Sequence, residues 1–323
     1  MQKKYICISD TAYSLALYLL LMSMDDINKT DFLLGNTINR KIKEKLPLVH
    51  DIPSRWDWKT SFVCNRKSFW SYINGSTRHV YAQDHINYAD ALIGKNKYTL
   101  LEDAPGCYSQ LDSVTFLTPR EQNKGKNLKQ RIKYYLAHTP IYGKTFGTNE
   151  QCVCRLVSDP RDINSPYIKG KNYQLVSLPD LWKNSDEEKK EFILNVFSIS
   201  TKSIVESSTS ELLILTQPFM EDCQLTEEEM VNLYQSYIER FKNVAIKVHP
   251  RDHFDYLKYF PQVKILDNNA PMQLLNIVGM NFSTALTVCS TALSAMPETT
   301  KRIYLGTNIN PKIRNVYGDL CNE

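Results

Sequence analysis

Several short polar stretches follow apolar runs and carry groups that could handle a phosphate ester. His249-Pro250-Arg251 comes directly after the apolar residues 244–248. An imidazole there can donate a hydrogen bond or a proton. Pro250 stiffens the turn that presents it, and the guanidinium of Arg251 supplies a fixed positive charge suited to phosphate. The plainer alternative is a surface turn. Ser283-Thr284 follows the apolar run 277–280, and Ser290-Thr291 lies seven residues further on. Hydroxyls and free N–H groups at a helix start form a phosphate site, although an ordinary N-cap is the commoner use of such a pair. The first pair is favoured because it follows its expected strand directly. Glu102-Asp103 stand just before Ala104-Pro105-Gly106. Adjacent carboxylates before a tight turn can place a general base, or can be no more than an acidic turn. Thr216 and Gln217, at the end of the run 212–216, are placed to touch a ligand. Glu221 and Asp222 follow them as rival acids. Asp10 and Thr11, after the run 5–9, are expected to face a second substrate.

These placements need strands with their carboxyl ends at one edge. Residues 5–9, 31–34 and 99–101 read as strands in the first half, with a helix over about 13–22. Residues 119–133 are basic and polar, an exposed loop or helix start. Ser185-x-x-Glu188 reads as a capping box opening a helix towards Phe197. In the second half, strands are expected at 212–216, 244–248, 263–266, 277–280 and 303–305. A capped helix from Thr226 to about Arg240 lies between the first two, and another helix is expected to start near Ser283. Strand alternating with helix means a parallel sheet covered on both faces. Ligands of such sheets bind beyond the carboxyl ends of the strands. A Ser- and Thr-rich stretch at 198–210 marks the expected linker, giving domains of 1–200 and 201–323.

The 323 residues suit two domains of ordinary size. With 42% hydrophobic and 23% charged residues the chain is globular and not disordered. The net charge of +4 is too mild for a nucleic-acid-binding module, and no aromatic-basic motif is visible. Eight scattered cysteines show neither a disulfide framework nor zinc spacing, so reduced thiols in a cytoplasmic protein are expected. Residues 5–24 are apolar but are interrupted by Ser9-Asp10-Thr11 and followed by no cleavage signal. They read as strand, turn and helix rather than as a membrane span or leader. Loose association with the inner face of the membrane stays open.

Together these features resemble bacterial sialyltransferases, and glycosyltransferase family 52 in particular. The resemblance rests on Glu102-Asp103 with Gly106, on His249-Pro250 within Ile-Lys-Val-His-Pro-Arg, and on Ser283-Thr284 downstream. Residues 215–218 and the opening residues 6–13 add to it. That family's glycine directly follows its acids. Here Ala104 and Pro105 intervene, so Glu221, Asp222 and Glu227 stand beside Asp103 as alternative bases. The resemblance implies an α/β protein of two Rossmann-like domains facing a cleft, the GT-B type. The first domain would take the acceptor at Asp10 and Thr11. The second would take the nucleotide sugar at Thr216, Gln217, Arg251, Ser283, Thr284, Ser290 and Thr291. It implies CMP-sialic acid as donor, inversion, no metal and no cofactor, and a galactose-type hydroxyl of a capsule or lipooligosaccharide glycan as acceptor. Asp103 or Glu102 would act as base and His249 as acid. UDP-glucose as donor, and a non-catalytic nucleotide-sugar or glycan-binding protein, remain as alternatives. A homodimer is left open.

Overall fold

Among the described residues, twelve short strands form two all-parallel sheets. The computed structural model describes residues 4–52, 78–111, 125–136, 145–200, 202, 204, 210–266 and 270–320. The chain divides into two compact units, Met1–Val196 and Phe197–Glu323.

The first unit holds β1 (Tyr5–Ser9), β2 (Thr30–Leu34), β3 (Val49–Asp51), β4 (His79–Ala82), β5 (Tyr98–Leu100), β6 (Cys152–Val157) and β7 (Tyr173–Leu175). Their order is β3-β2-β1-β4-β5-β6-β7, every pairing parallel. The chain runs outward from β1 through β2 and β3, then returns to β1's other side with β4. The boundary between β1 and β4 is therefore the point where strand order reverses, and ligands of such sheets bind beyond the carboxyl ends there. All five residues of β2 are buried, as a parallel strand covered on both faces requires. The helix Ala12–Leu21 is apolar almost all round and buries eight of its ten residues, the pattern of a helix packed inside a protein. Thr11 caps it by accepting from the Ser14 N–H.

The second unit holds β8 (Leu212–Leu215), β9 (Val244–Lys247), β10 (Lys264–Ile265), β11 (Thr284–Thr287) and β12 (Lys301–Tyr304), in the order β10-β9-β8-β11-β12. Here order reverses between β8 and β11. The core gathers Leu212, Ile214, Phe219, Met230, Tyr234, Ile246 and Leu286. Thr226 and Glu229 form the expected reciprocal box. Thr226 N donates to Glu229 Oε2 at 2.7 Å and Glu229 N to Thr226 Oγ1 at 3.2 Å, starting the helix Glu227–Arg240.

Three readings of local structure are corrected. The run 277–280 is not a strand. Met272–Ile277 is a helix, ended by Gly279 at φ +97°, a conformation that glycine adopts without strain. The chain at Ser283 does not open a helix, since Thr284–Thr287 is strand β11, fully buried. A run of Thr-Ala-Leu-Thr is as good a strand as a cap, and the sheet decides. Finally, Ser185 is no N-cap. Its hydroxyl donates to Leu181 O at 2.8 Å, while Asp186 Oδ1 accepts from Lys189 N and caps the helix Glu187–Val196.

Candidate active site

In the first unit the predicted residues meet at the carboxyl ends of β1, β4 and β5. Gln83, directly after β4, joins them. Its Oε1 accepts from Asp10 N at 2.6 Å, Thr11 N at 3.2 Å and Ser9 Oγ at 3.2 Å. Its Nε2 donates to Asp103 Oδ1 at 2.7 Å and to Thr11 Oγ1 at 3.3 Å. The Asp103 side chain is 41% exposed, and His85 Nε2 lies 3.8 Å from the same Oδ1. Burial alone would raise the Asp103 carboxyl. Hydrogen bonding and charge from His85, with Gln83 and Thr11, outweigh it and hold the group below its usual range. Asp103 is therefore a fixed, solvent-reachable carboxylate at the point where β1, β4 and β5 end.

His85 is itself fixed. Its ring stacks on Phe146 at 4.5 Å and 14°. Asp84 holds that segment by accepting from Phe146 N at 2.7 Å, Gly147 N at 2.8 Å and Tyr98 Oη at 2.6 Å. Asp10 turns its Oδ1 to Thr37, accepting from N at 3.2 Å and Oγ1 at 3.1 Å. Gly35 makes this approach feasible, because a Cβ there would fall 1.8 Å from Asp10 Oδ1. Burial, opposed by Thr37 and Lys43, leaves the Asp10 carboxyl raised, with Asp103 adding to the rise.

Glu102 is corrected as a catalytic candidate. It is buried, and both its oxygens are taken: Oε1 by Tyr13 Oη at 2.5 Å and Oε2 by Ser158 N at 2.9 Å. Burial pushes its carboxyl up to about 7 against those hydrogen bonds. It ties the helix after β1 to the ends of β5 and β6 and does not reach solvent. Gly106 takes φ +77° just before the helix Cys107–Leu111. The turn after Asp103 thus runs through Ala104 and Pro105 and ends on a left-handed glycine.

In the second unit His249 follows β9 and is half-buried. Its N–H donates to Thr216 Oγ1 at 3.0 Å, and its Nδ1 accepts from Arg251 N at 3.2 Å. An Nδ1 that accepts must be bare, so the proton of the neutral ring sits on Nε2. Burial, then the charge of Arg251, lowers the imidazole's proton affinity, opposed by Asp222. The result is a neutral imidazole whose Nε2–H is the available donor.

Thr216 is corrected as a ligand contact. It is buried, and it donates to Asp252 Oδ2 at 2.6 Å while accepting from His249 N. Tyr256 Oη donates to the same Asp252 oxygen at 2.8 Å. Thr216 is a positioning residue for the His249 turn. Gln217 stands half-buried at the same edge. Arg251 is not a free cation: Asp222 grips its guanidinium at 2.8 and 2.9 Å, and Tyr317 Oη donates to Asp222 at 2.7 Å. That grip holds Asp222 below the usual carboxylate range. Glu221 accepts from His253 N and pairs with its Nδ1, and Glu227 is taken by Lys258 and Tyr259. All three alternative bases are thus engaged, and each is held low.

Ser283 and Thr284 lie at the wrong edge. Ser283 Oγ donates to Glu211 O at 2.7 Å and Thr284 N to the same oxygen, at the amino end of the sheet. The later pair stands at the opposite edge, after β11 in the sequence. Ser290 follows β11 at the carboxyl end and caps the 3-10 turn Thr291–Ala295 through Ala292 N at 3.3 Å. Ser290 N is held by Thr287 Oγ1 at 3.1 Å, and Thr287 is tied to Leu215 O at 2.9 Å. His249, Gln217 and Ser290 thus share the carboxyl edge of this sheet. Among the described residues, no three of His, Cys, Asp and Glu group as a metal site would.

Gln83, Asp84, His85 and Asp252 escape the sequence reading. The polar run Gln-Asp-His after the four-residue strand His79–Ala82 is a visible signal for the first three. For Asp252 nothing beyond its nearness to His249 points to it.

The sequence profile of glycosyltransferase family 52 matches residues 18–313. A Haemophilus influenzae protein described only as uncharacterized is 31% identical over 243 residues, covering 75% of this chain and 72% of that protein. The fold is shared with two solved enzymes. One is the α/β-galactoside α-2,3-sialyltransferase of Photobacterium phosphoreum, at TM-score 0.58 and 14% identity, covering 98% of this chain and 95% of that one. The other is a 2,6-sialyltransferase of Photobacterium sp. JT-ISH-224 in complex with CMP and lactose, at TM-score 0.55 and 12% identity, covering 93% and 71%.

Proposed function

The chain belongs to glycosyltransferase family 52, and we propose that this glycosyltransferase moves sialic acid from CMP-sialic acid to a galactose-type hydroxyl of a bacterial surface glycan, with inversion and without a metal. Asp103 accepts the acceptor's proton as its oxygen bonds to the anomeric carbon. The bond from that carbon to the phosphate oxygen breaks, and CMP leaves with the electron pair. Entry opposite the leaving group inverts the centre. The transition state resembles an oxocarbenium ion, so little charge builds on the incoming oxygen and a weak, fixed carboxylate suffices. Charge builds instead on the departing phosphate. There His249 Nε2–H donates, with Ser290 and the turn it caps beside it.

The observation that best supports this reading is the His249 ring. Its Nδ1 is occupied by Arg251 N and its Nε2–H is left to donate, at a sheet edge of the kind where α/β proteins bind nucleotides. The solved enzymes of like fold are sialyltransferases, one holding CMP and lactose, which favours CMP over other nucleotides. The expected setting is the cytoplasm.

Calorimetric titration with CMP, UDP and GDP tests the donor. CMP binding with the others silent is expected. Binding of UDP in preference to CMP refutes the sialyl reading and points to a glucosyl donor. Hydrolysis of CMP-sialic acid in the absence of acceptor then separates an enzyme from a binding protein.

A further inference from the structure

We propose that the helix Leu128–Leu136 is a membrane-surface anchor that lays an apolar stripe on anionic lipid. Leu128 is 74% exposed, the most exposed large apolar side chain among the described residues, and Ile132, one turn on, is 50% exposed. Scattered apolar residues on a surface need no explanation. These two are adjacent on one stripe, since residues four apart share a helix face. At about 100° per residue, Lys129 and Arg131 border that stripe, each about 60° from its edge. Every side chain from Leu128 to Ile132 is exposed.

Two further observations support the assignment. The helix starts itself without help from a core. Asn127 N donates to Gln130 Oε1 and Gln130 N to Asn127 Oδ1, both at 2.9 Å, a reciprocal cap. Leu128 and Ile132 are thus held outward by a helix whose start is fixed by its own cap. The charge of the surrounding sequence indicates a partner. Residues 122–149 contain six basic residues (Lys124, Lys126, Lys129, Arg131, Lys133 and Lys144) and no acidic one. That is +6, against +4 for the whole chain, so the remainder carries −2. Apolar residues bordered by Lys and Arg, within a basic stretch of sequence, suit the headgroup boundary of an anionic bilayer. No helix among the described residues is long and apolar enough to cross a membrane, so the contact is peripheral.

Co-sedimentation of the full chain with vesicles tests this without reading turnover, so it stands apart from the sialyl-transfer proposal. The vesicles are phosphatidylcholine alone, or phosphatidylcholine with about one-third phosphatidylglycerol. Binding to the anionic vesicles with little to the neutral ones is expected. The double variant Lys129→Glu/Arg131→Glu should bind about thirtyfold less or weaker still, each basic residue being worth about fivefold. Leu128→Ser/Ile132→Ser should weaken binding about tenfold. Both pairs are exposed, so unchanged thermal melting is expected to confirm intact folding. Protein left in the supernatant, equal binding to both vesicle types, or undiminished binding by either variant overturns the proposal. If only the charge variant fails, the helix recognises charge alone, as it would on a soluble anionic glycan, and the membrane assignment is refuted.

Discussion

Replacing Glu102 by Gln separates a buried structural carboxyl from a catalytic one and carries a calculable pH signature. In the folded protein burial pushes Glu102 up to about 7, whereas an exposed glutamate titrates near its ordinary value of about 4.3–4.5. The folded state therefore holds this proton more tightly than the unfolded one. Its contribution to stability is fully present below the unfolded value and is lost as pH rises to about 7. A gap of about 2.5 units corresponds to about 3 kcal/mol, and about 2 kcal/mol of it falls between about pH 5.5 and about pH 8. The group is 1% exposed, so solvent screening does not erode this. A glutamine can be satisfied in place: its oxygen accepts from Ser158 N, its amide donates to Tyr13 Oη, and the Tyr13 hydroxyl turns to Ser158 Oγ, now 2.7 Å away. All four tryptophans fall within residues 1–196 of the sequence, and Trp182, half-buried in the helix Leu178–Lys183, makes fluorescence in urea a report on that unit's unfolding. Wild type should lose about 2 kcal/mol more than Glu102→Gln across the stated pH range. Turnover at acid pH, where both proteins are fully folded, should be nearly unchanged. Equal pH dependence of stability in the two proteins would refute the buried-proton argument. A loss of turnover by orders of magnitude in the folded variant would return Glu102 to the chemistry.

Other outcomes test the site more directly. His249→Ala and Asp103→Asn should each lower kcat about a hundredfold or more, with unchanged melting. Full activity in either removes that residue from the mechanism. Ser290→Ala should slow turnover about tenfold or more, while Ser283→Ala, at the opposite edge of the sheet, should leave it unaltered. The reverse pattern would overturn the assignment of the phosphate edge. Dialysis against EDTA should leave the rate of sialyl transfer unchanged. A loss restored by Mg²⁺ would contradict metal independence.

The sheets were legible because parallel strands buried on both faces leave short, wholly apolar runs such as Leu-Leu-Ile-Leu at 212–215. The same rule makes apolar helices ambiguous. Met272–Ile277 runs straight into Val278 and Met280, and its end is set by one glycine conformation rather than by any change in hydropathy. Reading 277–280 as a strand placed Ser283 at a carboxyl end, whereas the structure puts it at the amino end of β11 and Ser290 at the carboxyl end. Glu102 and Asp103 show a second limit. As neighbours after one strand they point to opposite sides, and nothing in their order says which is buried. The inward turn of Glu102 depends on Tyr13 and Ser158, from distant parts of the chain. Likewise, a Thr at a strand end reads as a ligand contact until Asp252 is seen to claim its proton.

Gln83 carries a consequence for what this position can become. A side-chain amide is polar end to end, and both ends are specified here. Three donors converge on its oxygen, and Asp103 demands a hydrogen from its nitrogen. Glutamate has the same length and shape but would set oxygen against oxygen at Asp103, making the neutral acid the favoured form there. Lysine, a donor with no acceptor, would present hydrogens to the backbone amides of Asp10 and Thr11. Residues 83 and 103 therefore constrain each other, and the amide hydrogen that the first presents adds to the pull of His85 in favouring the carboxylate form of the second.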